Sequence, residues 1–146
     1  MYEFLQRVNP AASQDYNVHG RVSWAIYCHD AGKAAMEDGD LANALAILNE
    51  GVRAFPFPLT LEKLGECLLL EGKPVEAVIY LAAAVGMSEE YQFRQLFLLG
   101  KGLAAANDTY VAKIMLEKAL SIEPDPEARE LLNEVMRRSA SAEQAA

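Results

Sequence analysis

With 146 residues, 13 basic and 21 acidic side chains and a net charge of −8, the chain has the length of one domain that buries about two thirds of its unfolded surface. The negative balance has the wrong sign for phosphate backbones, which argues against nucleic acid as a partner. No apolar run reaches the ~18 residues of a membrane span, and the first residues lack the basic-then-apolar layout of a signal peptide, so no membrane insertion and a cytoplasmic location are expected. The two cysteines, Cys28 and Cys67, are expected to be reduced, with Cys28 a small buried hydrophobe.

Residues 1–20 form an N-terminal extension holding Tyr2, Phe4, Leu5 and Val8, followed by Asn9-Pro10, which ends any helix begun there. So short an apolar segment cannot fold alone. It packs on the rest of the chain or on another molecule, and self-association through these four side chains is one reading. Residues 16–20 read as a connector.

A first pair of helices is predicted over 21–37 and 41–54, with Gly39-Asp40 as the turn and Asp40 as N-cap. Ala44, Leu48 and Gly51 share one face of its second helix. Phe55-Pro56-Phe57-Pro58 breaks the helix and places Pro58 in the first turn of the next one. The second pair covers 59–71 and 74–85. Leu64, Gly65 and Leu68 fall within about 60° of Leu61 at about 100° per residue, so one stripe faces the core. Gly65 is then a contact position, where the missing Cβ lets two helices approach at a propensity cost of about 1 kcal/mol. Gly32 and Gly100 are read the same way. Ala77, Leu81 and Ala84 repeat the face of Ala44, Leu48 and Gly51, and Gly86 is expected to end the helix. The third pair is expected to open at Ser88-Glu89-Glu90, a cap followed by acids, and to run over 88–106 and 109–122 with Asp108 as a cap. Asp125-Pro126 opens a last helix over 126–138, with Leu131, Leu132, Val135 and Met136 as its apolar stripe. The small, polar stretch 139–146 is expected to be disordered.

Three copies of one pattern underlie this order. Cys28-x-x-Ala31-Gly32-x-x-Ala35, Leu61-x-x-Leu64-Gly65-x-x-Leu68 and Leu96-x-x-Leu99-Gly100-x-x-Leu103 are each followed by a turn. Next come Ala44-x-x-x-Leu48, Ala77-x-x-x-Leu81 and Ala112-x-x-x-Leu116. Prolines close the first and third copies at Pro56 and Pro124, and the period is near 34 residues. The sequence resembles the tetratricopeptide repeat family. That resemblance implies an all-α, right-handed α-solenoid of three helix-turn-helix pairs (about 21–57, 58–87 and 88–124) with a terminal capping helix.

The resemblance also implies that the first helices of successive pairs line a concave wall. Taking angles from Leu61, Glu62, Glu66 and Leu69 lie at about 100°, 140° and 80° and Leu59 at about 160°. Their counterparts are Ile26, His29, Lys33 and Met36 in the first pair, and Arg94, Phe97, Lys101 and Ala104 in the third. Apolar anchors among cations and acids suit a segment of another protein, extended or helical, with the charges setting its register. The competing reading is that Tyr2 to Val8 or the capping helix covers these side chains. A subclass of the family grips a C-terminal carboxylate with basic and amide side chains on this wall, and the match is poor. Lys33 and Arg94 could serve, but His29 stands where a lysine is expected, Lys63 where an asparagine is, and Leu98 where another cation belongs.

Catalytic and cofactor chemistry finds no support in the sequence. Gly100-Lys101-Gly102-Leu103-Ala104-Ala105 has the spacing of a dinucleotide fingerprint, but leucines run through it at helical intervals and no strand precedes it. Glu62 and Glu66 lack a matching half-site on another helix, and Cys28 and His29 point about 100° apart, so no metal and no cofactor are expected. The expected function is a non-catalytic protein-interaction module. A small chaperone resembling type III secretion chaperones, or a scaffold unit associating with itself as a homodimer, are the alternatives.

Overall fold

The computed structural model describes residues 18–145, and every described element is a helix. Tyr2, Phe4, Leu5 and Val8 lie outside the described residues. The chain divides into two compact units, one ending at Phe57 and the other starting at Pro58.

The first unit pairs α1 (Val18–Glu37) with α2 (Leu41–Ala54). Helix α1 begins earlier than the sequence suggested and takes in part of the expected connector. The chain reverses at Gly39, whose φ of +79° suits a residue without a Cβ. There Gly39 N–H donates to Met36 O and Asp40 N–H to Ala35 O, closing the orphan carbonyls of α1. Asp40 then caps α2 by accepting from Asn43 N–H at 3.2 Å. Ala44, Leu48 and Gly51 are buried, and so is Cys28. A Cβ on Gly32 would stand 2.5 Å from Leu48 Cγ, so the two helices cross with no room for a larger residue.

The second unit holds α3 (Pro58–Leu70), α4 (Pro74–Met87), α5 (Phe93–Ala105), α6 (Thr109–Ile122) and α7 (Pro126–Ala145). Helix α3 packs on α4, α4 on α5, α5 on α6 and α6 on α7. Its core is Leu64, Cys67, Ala77, Leu81, Leu96, Ala112, Leu116 and Ala119, closed by Ala128, Leu132 and Val135 of α7. The crossing seen in the first unit recurs. A Cβ on Gly65 would overlap Leu81, and one on Gly100 would lie 2.8 Å from Leu116 Cγ. The turns recur as well: Gly72 has φ +74°, and Asn107 takes the same place at +67°. Asn107 is the non-glycine type that tolerates this region, and Asp108 behind it accepts from Val111 N–H at 3.2 Å.

Three further boundaries differ from the expectations. Ser88 does not open the third pair: it ends α4, its hydroxyl donating to Ala84 O at 2.8 Å and bonding to Gln95 Oε1 at 3.0 Å, and α5 starts at Phe93. The acids at Glu89 and Glu90 therefore precede the helix instead of filling its first turn. Gly86 is an interior residue of α4, which runs on to Met87. Helix α7 passes through residues 139–145, expected to be disordered, because nothing there breaks a helix and alanine favours one. Within α7, Met136, expected in the apolar stripe, is 46% exposed, while Ala128 is buried.

Candidate functional site

On α1, Ile26 and Lys33 are exposed, while His29 and Met36 are half-buried. They form one flank of that helix, of mixed chemistry.

On the second unit the wall is made by α3 and α5, and its charges are already engaged with one another. Arg94 Nε donates to Glu62 Oε1 at 2.7 Å and Arg94 Nη2 to Glu66 Oε2 at 2.8 Å, while Lys63 Nζ donates to the same Glu66 oxygen at 2.9 Å. Two cations meet two carboxylates in a neutral cluster. The guanidinium fork suits this double bridge, since its donors diverge in a fixed plane. Glu62, expected on the open wall, has a side chain only 6% exposed, against 54% for Arg94. The reason is the approach of α5 to α3, which covers Glu62 and supplies the cation that permits its burial. Burial pushes the Glu66 carboxyl up, but the Lys63 ammonium and the Arg94 guanidinium outweigh it and hold Glu66 below its usual range. The same contacts raise Arg94, against the opposing effect of burial.

Further along α5, Phe97 is half-buried and stacks on Phe93, with ring centroids 5.7 Å apart. Lys101 Nζ stands 5.5 Å from the centre of the Phe97 ring and donates to Glu127 Oε1 of α7 at 3.2 Å. Leu69 is half-buried near Gly102, and Leu59 is 61% exposed. Ala104 is not on an open wall. It is 2% exposed, and its carbonyl accepts from Arg138 Nη2 at 3.2 Å, because α7 folds back over the end of α5. The residues brought together on α3 and α5 are thus Glu62, Glu66, Leu69, Arg94, Phe97 and Lys101.

Phe93, Lys63 and Glu127 complete this surface and were not assigned to it from sequence. Phe93 had a signal in its spacing of four from Phe97. In the sequence Lys63 stands out only as a lysine where a carboxylate grip would need an asparagine, and nothing local marks Glu127 as a partner of Lys101. Lys63 is tied to Glu66, and Leu98 is buried at 6% exposure, so neither completes a carboxylate grip.

Among the described residues no group of three or more His, Cys, Asp or Glu could hold a metal ion, and no helix is long and apolar enough to cross a membrane. The dinucleotide-like stretch lies inside α5, where its backbone N–H groups serve the helix and offer no cradle.

No family model matches the sequence, and no curated protein does. Solved structures do. The C-terminal tetratricopeptide-containing domain of a putative FK506-binding protein of Plasmodium falciparum superposes with a TM-score of 0.84 at 15% identity, covering 90% of this chain and 98% of that one. The first such domain of human RPAP3 gives 0.75 at 22% identity, covering 84% and 98%. The second, solved in complex with an HSP70 peptide, gives 0.71 at 19% identity over 82% and 98%. The chain has the fold of a tetratricopeptide repeat domain with three helix pairs and a terminal helix.

Proposed function

We propose that the chain is a non-catalytic interaction module that binds a segment of another protein, extended or helical, on the α3–α5 wall. The observation that carries this reading is the Phe93–Phe97 shelf, left half-open beside a charge cluster that is internally neutral. Because Glu62, Glu66, Lys63 and Arg94 satisfy each other, they offer a partner little net charge, and the apolar side chains supply the anchoring. This shifts the expectation that charges set the partner's register onto Lys101 alone, whose exposed pair with Glu127 can open at small cost. The fitting segment carries an aromatic or branched apolar side chain for Phe97 and an acid nearby for Lys101. That a related fold, the second domain of human RPAP3, was solved with an HSP70 peptide supports peptide binding as the mode.

The test is selection of binders from a random peptide library, followed by mapping of the bound peptide through backbone chemical-shift changes. Shifts centred on Leu69, Phe93, Phe97 and Lys101 are expected, and Phe97→Ala with Lys101→Glu should weaken binding while the helical circular dichroism at the assay temperature is kept. Undiminished binding by that folded double variant would discard the wall as the site.

A further inference from the structure

Helix α4 turns a face without charge outward from the second unit. Its inner side is engaged, with Val78 toward Gly102 of α5 and Leu81 toward Gly65 of α3. Opposite these, Val75 is 67% and Ile79 64% exposed, and Ala82, Ala83 and Gly86 are exposed with them. At about 100° per residue the five fall within an arc of about 100°, and Glu76, the only charged residue of the helix, stands at its edge. Aligned on Gly65 and Gly100, the places of Ala82, Ala83 and Gly86 hold Glu117, Lys118 and Ser121 in α6, the ordinary polar surface of an outer helix.

Gly86 sharpens the contrast. Gly32, Gly65 and Gly100 each leave room for a leucine, and Gly39 and Gly72 have positive φ, but a Cβ on Gly86 would meet nothing within 4 Å. A glycine inside a helix lowers its stability, and no described residue uses the space that this one leaves. The spacing of the face is informative as well. Val75, Ile79, Ala82 and Gly86 follow one another at intervals of four, three and four, which is the seam of a coiled coil. Along that seam the side chains run from large to small.

We propose that α4 pairs, antiparallel, with α4 of a second copy of this chain, about a two-fold axis that passes beside Tyr80 and Leu81. Such an interface must be self-complementary, residue i meeting j wherever j meets i. In this register Val75 lies opposite the other copy's Gly86 and Ile79 opposite its Ala82, so each large side chain fills the space left by a small one. A parallel pair would set valine against valine at one end and leave a gap between glycines at the other. The ends agree in charge: the exposed Lys73 before α4 comes beside the other copy's exposed Glu89, just past the end of its helix. The seam is about 17 Å long, so the pair covers less than the ~1,200 Å² of a stable interface and forms reversibly, at high concentration. Because α3 and α5 both pack on the inner side of α4, pairing leaves the α3–α5 wall of each copy open, and the dimer presents that wall twice.

Sedimentation equilibrium of the full chain between about 10 µM and 1 mM should show a weight-average mass that climbs from monomer towards dimer. Ile79→Lys should weaken the association at least about tenfold, with the helical circular dichroism kept because the position is exposed. Ala82→Glu should do the same. Mixed in equal amounts, the two variants should pair with each other, since the lysine of one then faces the glutamate of the other while the remaining contact joins the parental Ile79 and Ala82. A parent that stays monomeric throughout, a dimer that survives Ile79→Lys, or a mixture no heavier than its separate components would each overturn the proposal.

Discussion

Gly65 offers the sharpest test of how the helix pairs are held. In an ordinary helix Gly→Ala stabilises by about 1 kcal/mol, because alanine loses less backbone entropy on folding. Here a Cβ would overlap Leu81 Cγ and stand 2.6 Å from its Cδ2. Leu81 is 1% exposed, and the atom struck first is its branch point, which cannot swing aside as a chain end would. Relief requires a changed rotamer or parted helices, and overpacking of this kind costs about 1–3 kcal/mol. Gly65→Ala should therefore destabilise the parent by roughly 1 kcal/mol net, the overlap outweighing the propensity gain. Leu81→Ala alone should cost about 2–5 kcal/mol through the cavity it leaves. In that background the obstacle is gone, and Gly65→Ala should become stabilising by up to about 1 kcal/mol. Urea unfolding followed by circular dichroism gives the four midpoints and the m-values that show whether the slope is preserved. The reversal of sign is the prediction. If Gly65→Ala stabilises the parent as much as it stabilises the Leu81→Ala variant, the two side chains do not meet, and the account of the crossing fails.

The cluster on the wall gives two further expectations. Arg94→Met leaves the buried Glu62 carboxylate without its guanidinium and should cost about 1–3 kcal/mol, less than a fully buried pair because Arg94 is half exposed. Glu62→Leu leaves Arg94 still bonded to Glu66 and should cost less; because both variants remove the same Arg94–Glu62 bond, the double variant should cost less than the sum of the singles, and additivity in a double-mutant cycle would deny the coupling. Glu66 is held below its usual range in the folded state, so the unfolded chain takes up its proton first as pH falls. Its contribution is therefore complete above an ordinary glutamate pKa of about 4.3 and is lost below it, as pH passes through the folded value. Glu66→Gln should flatten the acid limb of a stability–pH curve, and an unchanged limb would contradict the assignment.

What could be read from residues alone followed from repetition. Gly32, Gly65 and Gly100 announce a close crossing because each sits among leucines or alanines at helical spacing, and the buried Leu48, Leu81 and Leu116 answer them at fixed distance along the chain. Asp40 and Asp108 were legible as caps because capping is a local bond between neighbours in sequence. Ser88 misled for the same reason. It has the chemistry of a cap, and only the arrival of Gln95 seven residues later decides that it finishes one helix instead of starting another. The wall was half legible. Angular position on a helix finds which side chains share a face, but whether that face is open depends on what lies across from it. Glu62 disappears under Arg94 from 32 residues away, and Ala104 under Arg138 from 34. No spacing rule within one helix carries that information.

The recurrence of one glycine-to-leucine joint in every pair has an evolutionary consequence. A gene segment coding for such a pair brings its own fastening with it, so duplication can lengthen the protein without inventing a new interior each time. Growth of that kind must occur ahead of α7, whose Arg138 is latched to the carbonyl of Ala104 and works as a stopper on the stack.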